Sequence, residues 1–132
     1  MSKSAILCVD DETVVLESLE LELRRAFDDV YLYEFAESAE EALELLAELM
    51  ENGIEIIVIV SDWLMPGMKG DEFLILIHRQ YPNIITIMLT GQANKEAIER
   101  AVTQANLYAH LPKPWNSKKL IETIKSGIAQ YE

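Results

Sequence analysis

A chain of 132 residues that is 50% hydrophobic and 26% charged has the size and composition of one folded domain. Its net charge of -12 disfavours direct binding to nucleic acid or to an anionic membrane, because both carry negative charge. The single cysteine, Cys8, cannot form an internal disulfide, and the sequence shows neither a signal-peptide pattern nor a membrane-length apolar run. We therefore expect a cytoplasmic protein.

The first half of the chain alternates short apolar runs with helical patterns. Residues 5–9 are apolar, and apolar residues then recur at helical spacing over 12–27, which predicts a strand followed by a helix. Residues 30–36 are rich in β-forming side chains and predict a second strand. Ser38 is a predicted N-cap, and the helix that follows it is expected to end at Asn52-Gly53.

The second half continues this alternation with two runs that carry no charge. These runs, at 56–60 and 84–89, have the composition of strands buried on both faces of a parallel sheet. The other predicted elements are helices over 71–80 and 97–105, a shorter strand over 107–111 and a helix that starts near residue 117.

Five strand–helix units in this order predict an α/β fold, in which a parallel sheet has helices on both faces. The two uncharged strands should be central, whereas the amphipathic strands at 30–36 and 107–111 should lie at the edges. Strand order 2-1-3-4-5 meets both conditions. It is the flavodoxin-like, doubly wound (βα)5 arrangement, and we expect one such domain over residues 1–132.

Polar residues follow four of the five predicted strands, at the carboxyl ends where sheets of this kind bind ligands. They are Asp10 and Asp11, Asp62, Thr90 and Gly91, and Lys113. A single aspartate at a strand end is usually a helix cap or a turn residue. Here, however, all of these residues follow strands that we expect to be neighbours, which indicates that they form a common site.

Three neighbouring carboxylates need a cation between them. At about 5 Å and an effective dielectric constant of about 20, each pair of negative charges costs roughly 3 kcal/mol. A lysine can offset one charge, and Mg²⁺ is the divalent cation that binds few carboxylates and several waters. A metal-bound aspartate beside a lysine and a hydroxyl has the groups needed to attack a phosphoryl donor.

The motifs that carry these residues resemble the receiver domain of two-component response regulators, the chemotaxis-regulator-like superfamily, over residues 4–130. The matching segments are Leu7–Glu12, Ser61–Gly70, Leu89–Gly91 and Lys113–Trp115. The resemblance implies a phosphorylation-dependent signalling switch that promotes only its own phosphorylation and dephosphorylation. It therefore implies a regulatory phosphoacceptor rather than an enzyme, with no output domain in this chain.

The resemblance also implies a Mg²⁺ site around the phosphoryl acceptor. Asp62 would accept the phosphoryl group. Asp11, Asp62 and the main-chain carbonyl of Leu64 would ligate Mg²⁺ directly, and Asp10 would hold the ion largely through water.

The remaining roles implied by the resemblance concern the phosphoryl oxygens and the partners. Lys113 would pair with one oxygen, Thr90 would move to donate a hydrogen bond to another, and the Gly91 amide would assist. The Lys113-Pro114 peptide is expected to be cis. The phosphoryl donor would be a sensor histidine kinase or a histidine phosphotransfer protein. The surface of the fourth helix, fifth strand and fifth helix would change, and an output domain or a second copy would bind there.

One position departs from the family pattern. Three residues before the lysine, receivers mostly carry Tyr or Phe, which turns inward when the threonine moves; this chain has His110. An imidazole is smaller and can titrate near neutral pH. We therefore expect either a switch formed by Thr90 and His110, or a histidine that is only a partly exposed edge-strand residue.

Two other functions share part of this pattern. A haloacid-dehalogenase-like phosphatase also has a nucleophilic Asp, a Thr, a Lys and Mg²⁺, but it needs a second Asp two positions later, where this chain has Glu12. The chain is also too short for the cap and the final acidic motif of that family. The second alternative is a degenerate receiver that acts only as a binding module, which the intact acidic, Thr and Lys positions disfavour.

Overall fold

Five parallel strands form the centre of the computed structural model, which describes residues 3–91 and 95–131. The strands are β1 (Ser4–Val9), β2 (Leu32–Ala36), β3 (Glu55–Asp62), β4 (Ile85–Thr90) and β5 (Ala109–Pro112). The helices are α1 (Thr13–Phe27), α2 (Ala39–Glu51), α3 (Gly70–Gln80), α4 (Lys95–Gln104) and α5 (Ser117–Tyr131). The sheet order is β2-β1-β3-β4-β5, which confirms the predicted flavodoxin-like arrangement.

The sheet separates two hydrophobic cores, and β1 contributes to both of them. Its residues Ala5, Leu7 and Val9 pack toward α2, α3 and α4, whereas Ile6 and Cys8 pack toward α1 and α5. All five side chains are at most 1% exposed. Helices therefore cover both faces of the central strands, which explains why these strands carry no alternation of polar residues. No helix within the described ranges has the length and apolar composition needed to cross a bilayer.

The helix ends follow the predicted capping chemistry where the sequence carries a clear signal. The main-chain N–H of Glu41 donates to Ser38 Oγ at 3.1 Å, so Ser38 is the N-cap of α2 as predicted. At the other end of α2, Gly53 adopts a φ of 75°, a left-handed conformation that favours glycine.

Two strands, β2 and β5, begin two residues later than predicted because residues at the start of each predicted run bond to the preceding helix. The N–H of Val30 donates to the carbonyl of the last residue of α1, so β2 starts only at Leu32. In the same way, Leu107 donates to a carbonyl within α4, and β5 starts at Ala109. The apolar run in each case includes residues that close the helix rather than pair in the sheet.

Thr86 on β4 has a buried hydroxyl without a hydrogen-bond partner among the described residues. Its side chain is 2% exposed, and Oγ1 has no donor or acceptor in reach. Thr86→Val keeps the shape and removes the unpaired group, so we expect the free energy of unfolding to rise by about 1 kcal/mol. Chemical denaturation would measure this change in the free energy of unfolding. Thr123→Val is the control on α5, because the hydroxyl that it removes is paired and donates to the Lys119 carbonyl at 2.7 Å, so this variant should not gain stability. A loss of stability in Thr86→Val would contradict the prediction.

Candidate functional site

Three aspartates converge where β1 and β3 end side by side. In the β1–β3 ladder Val9 pairs with Ser61, so the residues that follow them, Asp10 and Asp62, lie next to each other. Oxygen atoms from Asp10, Asp11 and Asp62 all lie within 4.8 Å of one another. Asp10 and Asp62 are buried, at 0% and 4% exposed, whereas Asp11 is open to solvent.

Asp62 is the last residue of β3, whereas the sequence predicted that it follows the strand. The strand extends beyond the predicted 56–60 run because Asp62 pairs with Leu89, and the N–H of Trp63 donates to the Leu89 carbonyl at 3.0 Å. The Asp62 side chain is therefore held by the sheet itself. Its position is less variable than that of an aspartate in a connecting loop.

Lys113 crosses from β5 to the acidic cluster. Its Nζ lies 2.8 Å from Asp10 Oδ2, 3.5 Å from Asp62 Oδ2 and 3.4 Å from Glu12 Oε1. The main-chain N–H of Lys113 donates to the Thr90 carbonyl at 3.2 Å, which fixes the start of the side chain beside β4. The Lys113-Pro114 peptide is cis, as the resemblance implies.

Asp10 also has the local role that an isolated aspartate would have at a strand end. Its Oδ1 accepts the main-chain N–H of Glu12 at 2.8 Å, in the turn that leads into α1. The other oxygen, Oδ2, accepts from Lys113 at 2.8 Å. Both oxygens of this buried carboxylate are thus engaged by donors, which suits a residue that holds a metal ion through water rather than directly.

Burial sets the pKa values of the cluster. Burial and the negative charge of Asp10 raise the pKa of Asp62 to about 6, although Lys113 opposes the shift. Burial likewise raises the pKa of Asp10 against the hydrogen bonds from Lys113 and Glu12. For Lys113, burial lowers the pKa, but contacts with Asp10 and Asp62 outweigh it and the net shift is upward. The lysine stays charged, and with Asp10 and Asp62 ionised the cluster keeps an excess of negative charge that favours a cation.

Thr90 and Gly91 lie at the end of β4, beside this cluster. Thr90 is 6% exposed, and its Oγ1 donates to the main-chain carbonyl of Leu111 on β5 at 3.3 Å. The hydroxyl is therefore paired with the neighbouring strand in this structure. Gly91 is exposed, and the nearest described atom to an added Cβ would be Lys113 Cβ at 4.0 Å, so space alone does not require a glycine there.

The segment after Asp62 is held close to the sheet by Gly70. The N–H of Gly70 donates to the Trp63 carbonyl at 2.8 Å. A Cβ at residue 70 would lie 2.2 Å from the main-chain oxygen of Asp62 and 2.8 Å from Trp63 Cα, so only glycine allows this approach. The Leu64 side chain in the same segment is 57% exposed, and its main-chain carbonyl is the group implied as a metal ligand.

His110 is exposed on the edge strand β5 and pairs in register with Met88 of β4. Because side chains alternate along a strand, His110 is on the same face as Met88 and Thr90. The histidine therefore lies on the outer part of the face that α3 and α4 cover.

A second polar cluster was not predicted from the sequence. Asp71, at the start of α3, is 1% exposed and accepts hydrogen bonds from Trp63 Nε1 at 3.1 Å and from Arg100 Nη1 at 2.6 Å. The sequence does contain one indication that Asp71 is buried, because it lies one turn before Leu74 and Ile75 on the apolar stripe of its helix. The residue spacing does not indicate that Arg100, which belongs to another helix, pairs with Asp71.

A sequence model of the response regulator receiver domain matches residues 6–125, almost the whole chain. The chain belongs to the response regulator receiver domain family. Members of this family are regulatory phosphoacceptors that bind Mg²⁺ at an acidic pocket, and this chain has the cluster Asp10, Asp11 and Asp62 in that place. Domains of this family act as phosphorylation-dependent switches. The two alternatives, a haloacid-dehalogenase-like phosphatase and a degenerate receiver, are not favoured.

Individual relatives agree with this assignment. The hydrogenase transcriptional regulatory protein HoxA of Cupriavidus necator is 32% identical over 126 residues, which cover 96% of this chain but only 24% of HoxA. The signal receiver domain of an HD domain-containing protein from Pseudomonas fluorescens Pf-5 is 31% identical, with a TM-score of 0.88 and coverage of 98% and 97% of the two chains. A beryllofluoride-activated NtrC4 receiver domain, solved as a dimer, is 28% identical with a TM-score of 0.82 and coverage of 97% and 98%. The chain thus spans about a quarter of the length of the curated relative.

Proposed function

We propose that Asp62 is the phosphoryl acceptor of this domain and that uptake requires Mg²⁺. One observation carries the proposal: Asp62 is 4% exposed, shares a 4.8 Å cluster with Asp10 and Asp11, and lies 3.5 Å from the Lys113 ammonium. A buried carboxylate with two acidic neighbours and one lysine has the charges that a metal-assisted nucleophile needs.

The donor set fits Mg²⁺, because it consists of carboxylate oxygens and one candidate carbonyl in a negatively charged pocket. Asp11, Asp62 and the Leu64 carbonyl would bind the ion directly, and Asp10, already engaged by Lys113, would act through water. When bound, the ion neutralises and orients the phosphoryl oxygens.

The chain's own groups account for the rest of the reaction. One carboxylate oxygen of Asp62 attacks phosphorus, the bond from phosphorus to the donor breaks, and the donor leaves with the electron pair. The Lys113 ammonium then pairs with a phosphoryl oxygen. Thr90 Oγ1 leaves the Leu111 carbonyl, 3.3 Å away, and donates to another oxygen, with the Gly91 N–H beside it.

We further propose that a histidine kinase or phosphotransfer protein supplies the phosphoryl group, and that α4, β5 and α5 form the surface that responds. The exposed Val102 on α4 and His110 on β5 belong to this surface. HoxA is named a transcriptional regulator and the activated NtrC4 receiver is a dimer, which supports an output domain or a second copy as the partner here. Participation of His110 together with Thr90 in the switch stays a prediction.

Phosphorylation of the isolated domain tests the proposed acceptor. Incubation with acetyl phosphate and Mg²⁺ should add one phosphoryl group per chain, and peptide mapping by mass spectrometry should locate it on Asp62. EDTA should suppress the labelling, because the attacking carboxylate loses its counter-charge. Labelling that maps to another residue, or that is undiminished in EDTA, would contradict the proposal.

A further inference from the structure

The Asp71 carboxylate joins two parts of the molecule that are distant in the sequence. Its Oδ1 accepts from the Trp63 indole N–H at 3.1 Å, and its Oδ2 accepts from Arg100 at 2.6 Å. The Asp71 side chain is 2% exposed, so its charge is removed from solvent. Arg100 belongs to α4, whereas Trp63 directly follows Asp62.

Trp63 is the residue between the proposed acceptor and the Leu64 carbonyl. Its main-chain N–H donates to Leu89 at 3.0 Å, and its carbonyl accepts from Gly70 at 2.8 Å. The indole–Asp71 bond is the third hydrogen bond on this one residue. Together they fix the direction in which the chain leaves β3 and the place of the next carbonyl.

Arg100 pairs with the buried Asp71 carboxylate at 2.6 Å and holds it in place. A buried carboxylate without a partner is strongly unfavourable, and it is relieved by taking up a proton or by moving toward water. Either change would weaken the bond to the Trp63 indole. An arginine on α4 therefore acts on the segment beside Asp62 through two consecutive hydrogen bonds.

We propose that Asp71 and Arg100 are positioning residues for metal binding at the acceptor site. They hold Trp63, and with it the strand end that supplies Asp62 and the Leu64 carbonyl, so that the contact of α4 with α3 is coupled to Mg²⁺ affinity. This inference rests on the proposed function of Asp62.

Mg²⁺ titration of the metal-free domain by calorimetry, with NMR of the indole N–H signals, tests the coupling. We expect Arg100→Gln to weaken Mg²⁺ binding by about three- to tenfold and to shift the Trp63 indole signal, which the Trp63→Phe spectrum assigns. Trp63→Phe should weaken binding to a similar degree. The double variant should bind no more weakly than either single variant, because both substitutions break the same connection.

The sign of the effect separates this proposal from long-range electrostatics. Arg100→Gln makes the protein more negative, which by itself favours a cation. Arg79→Gln removes the same charge from an exposed position on α3, so it should leave Mg²⁺ affinity unchanged or slightly higher. Arg100→Lys keeps the charge and should restore most of the affinity.

Wild-type affinity in Arg100→Gln, or effects of the two substitutions that multiply in the double variant, would overturn the coupling. If Arg100→Gln does not fold, Trp63→Phe alone tests the connection, and wild-type Mg²⁺ affinity in that variant would overturn the coupling. Wild-type Mg²⁺ affinity in Asp62→Asn would overturn the proposed function, and a wild-type domain that binds no Mg²⁺ would overturn both.

Discussion

Asp62→Asn is expected to abolish phosphoryl uptake and, at the same time, to stabilise the metal-free domain. The amide cannot attack phosphorus as a carboxylate does, so labelling by acetyl phosphate should be lost. The stabilisation has an electrostatic cause: burial and the charge of Asp10 raise the pKa of Asp62 to about 6, so its ionised form is unfavourable in the folded state at neutral pH. We expect the free energy of unfolding in EDTA at pH 7 to rise by about 1–3 kcal/mol.

The pH dependence of this gain has a definite sign. The folded state binds the Asp62 proton more tightly than the unfolded state, in which the pKa is near 3.8. Lowering the pH from 7 through about 6 therefore stabilises the wild type relative to Asp62→Asn, and the gain should disappear below about pH 4. Urea denaturation in EDTA at several pH values would measure the difference between the two proteins.

Two controls make this result specific. Asp11→Asn removes a negative charge from the same cluster at a solvent-exposed position, so its stabilisation should be smaller. Asp29→Asn, exposed and away from the cluster, should keep full labelling and wild-type stability. Lower stability of Asp62→Asn than of the wild type in EDTA would show that Lys113 more than compensates the repulsion.

The sheet and the acidic site could be predicted because both depend on burial patterns along single segments. The uncharged runs within β3 and β4 identified the central strands, and this fixed the strand order. Once the order is known, the residues at the strand ends must be neighbours. Asp10, Asp62 and Lys113 accordingly lie within one cluster, although 103 positions separate Asp10 from Lys113.

Contacts between helices and the choice of hydrogen-bond partner could not be predicted in this way. The Asp71–Arg100 pair depends on how α3 and α4 lie against each other, which a hydrophobic pattern does not specify. The bond from the Thr90 hydroxyl to β5 depends on one side-chain rotamer. The start of the short strand β5 was predicted two residues too early, because the same apolar residues suit a helix end and a strand.

Gly70→Ala is expected to have the largest effect on stability of the substitutions considered. The added Cβ would lie 2.2 Å from the Asp62 main-chain oxygen and 2.8 Å from Trp63 Cα. Neither atom can rotate away, so the start of α3 must separate from the end of β3. We expect the free energy of unfolding to fall by about 2–4 kcal/mol.

The same displacement should impair the site. Moving the end of β3 shifts Asp62 relative to Lys113. Because misplacement of reacting groups by about 1 Å lowers reaction rates strongly, labelling by acetyl phosphate should slow by at least about tenfold. Gly91→Ala is the matched control, since its Cβ would come no closer than 4.0 Å to a described atom. That variant should stay within about 0.5 kcal/mol of the wild type in chemical denaturation. Equal stability of Gly70→Ala and Gly91→Ala would mean that the α3–β3 approach is looser than the structure has it, and that Asp62 does not depend on it for its position.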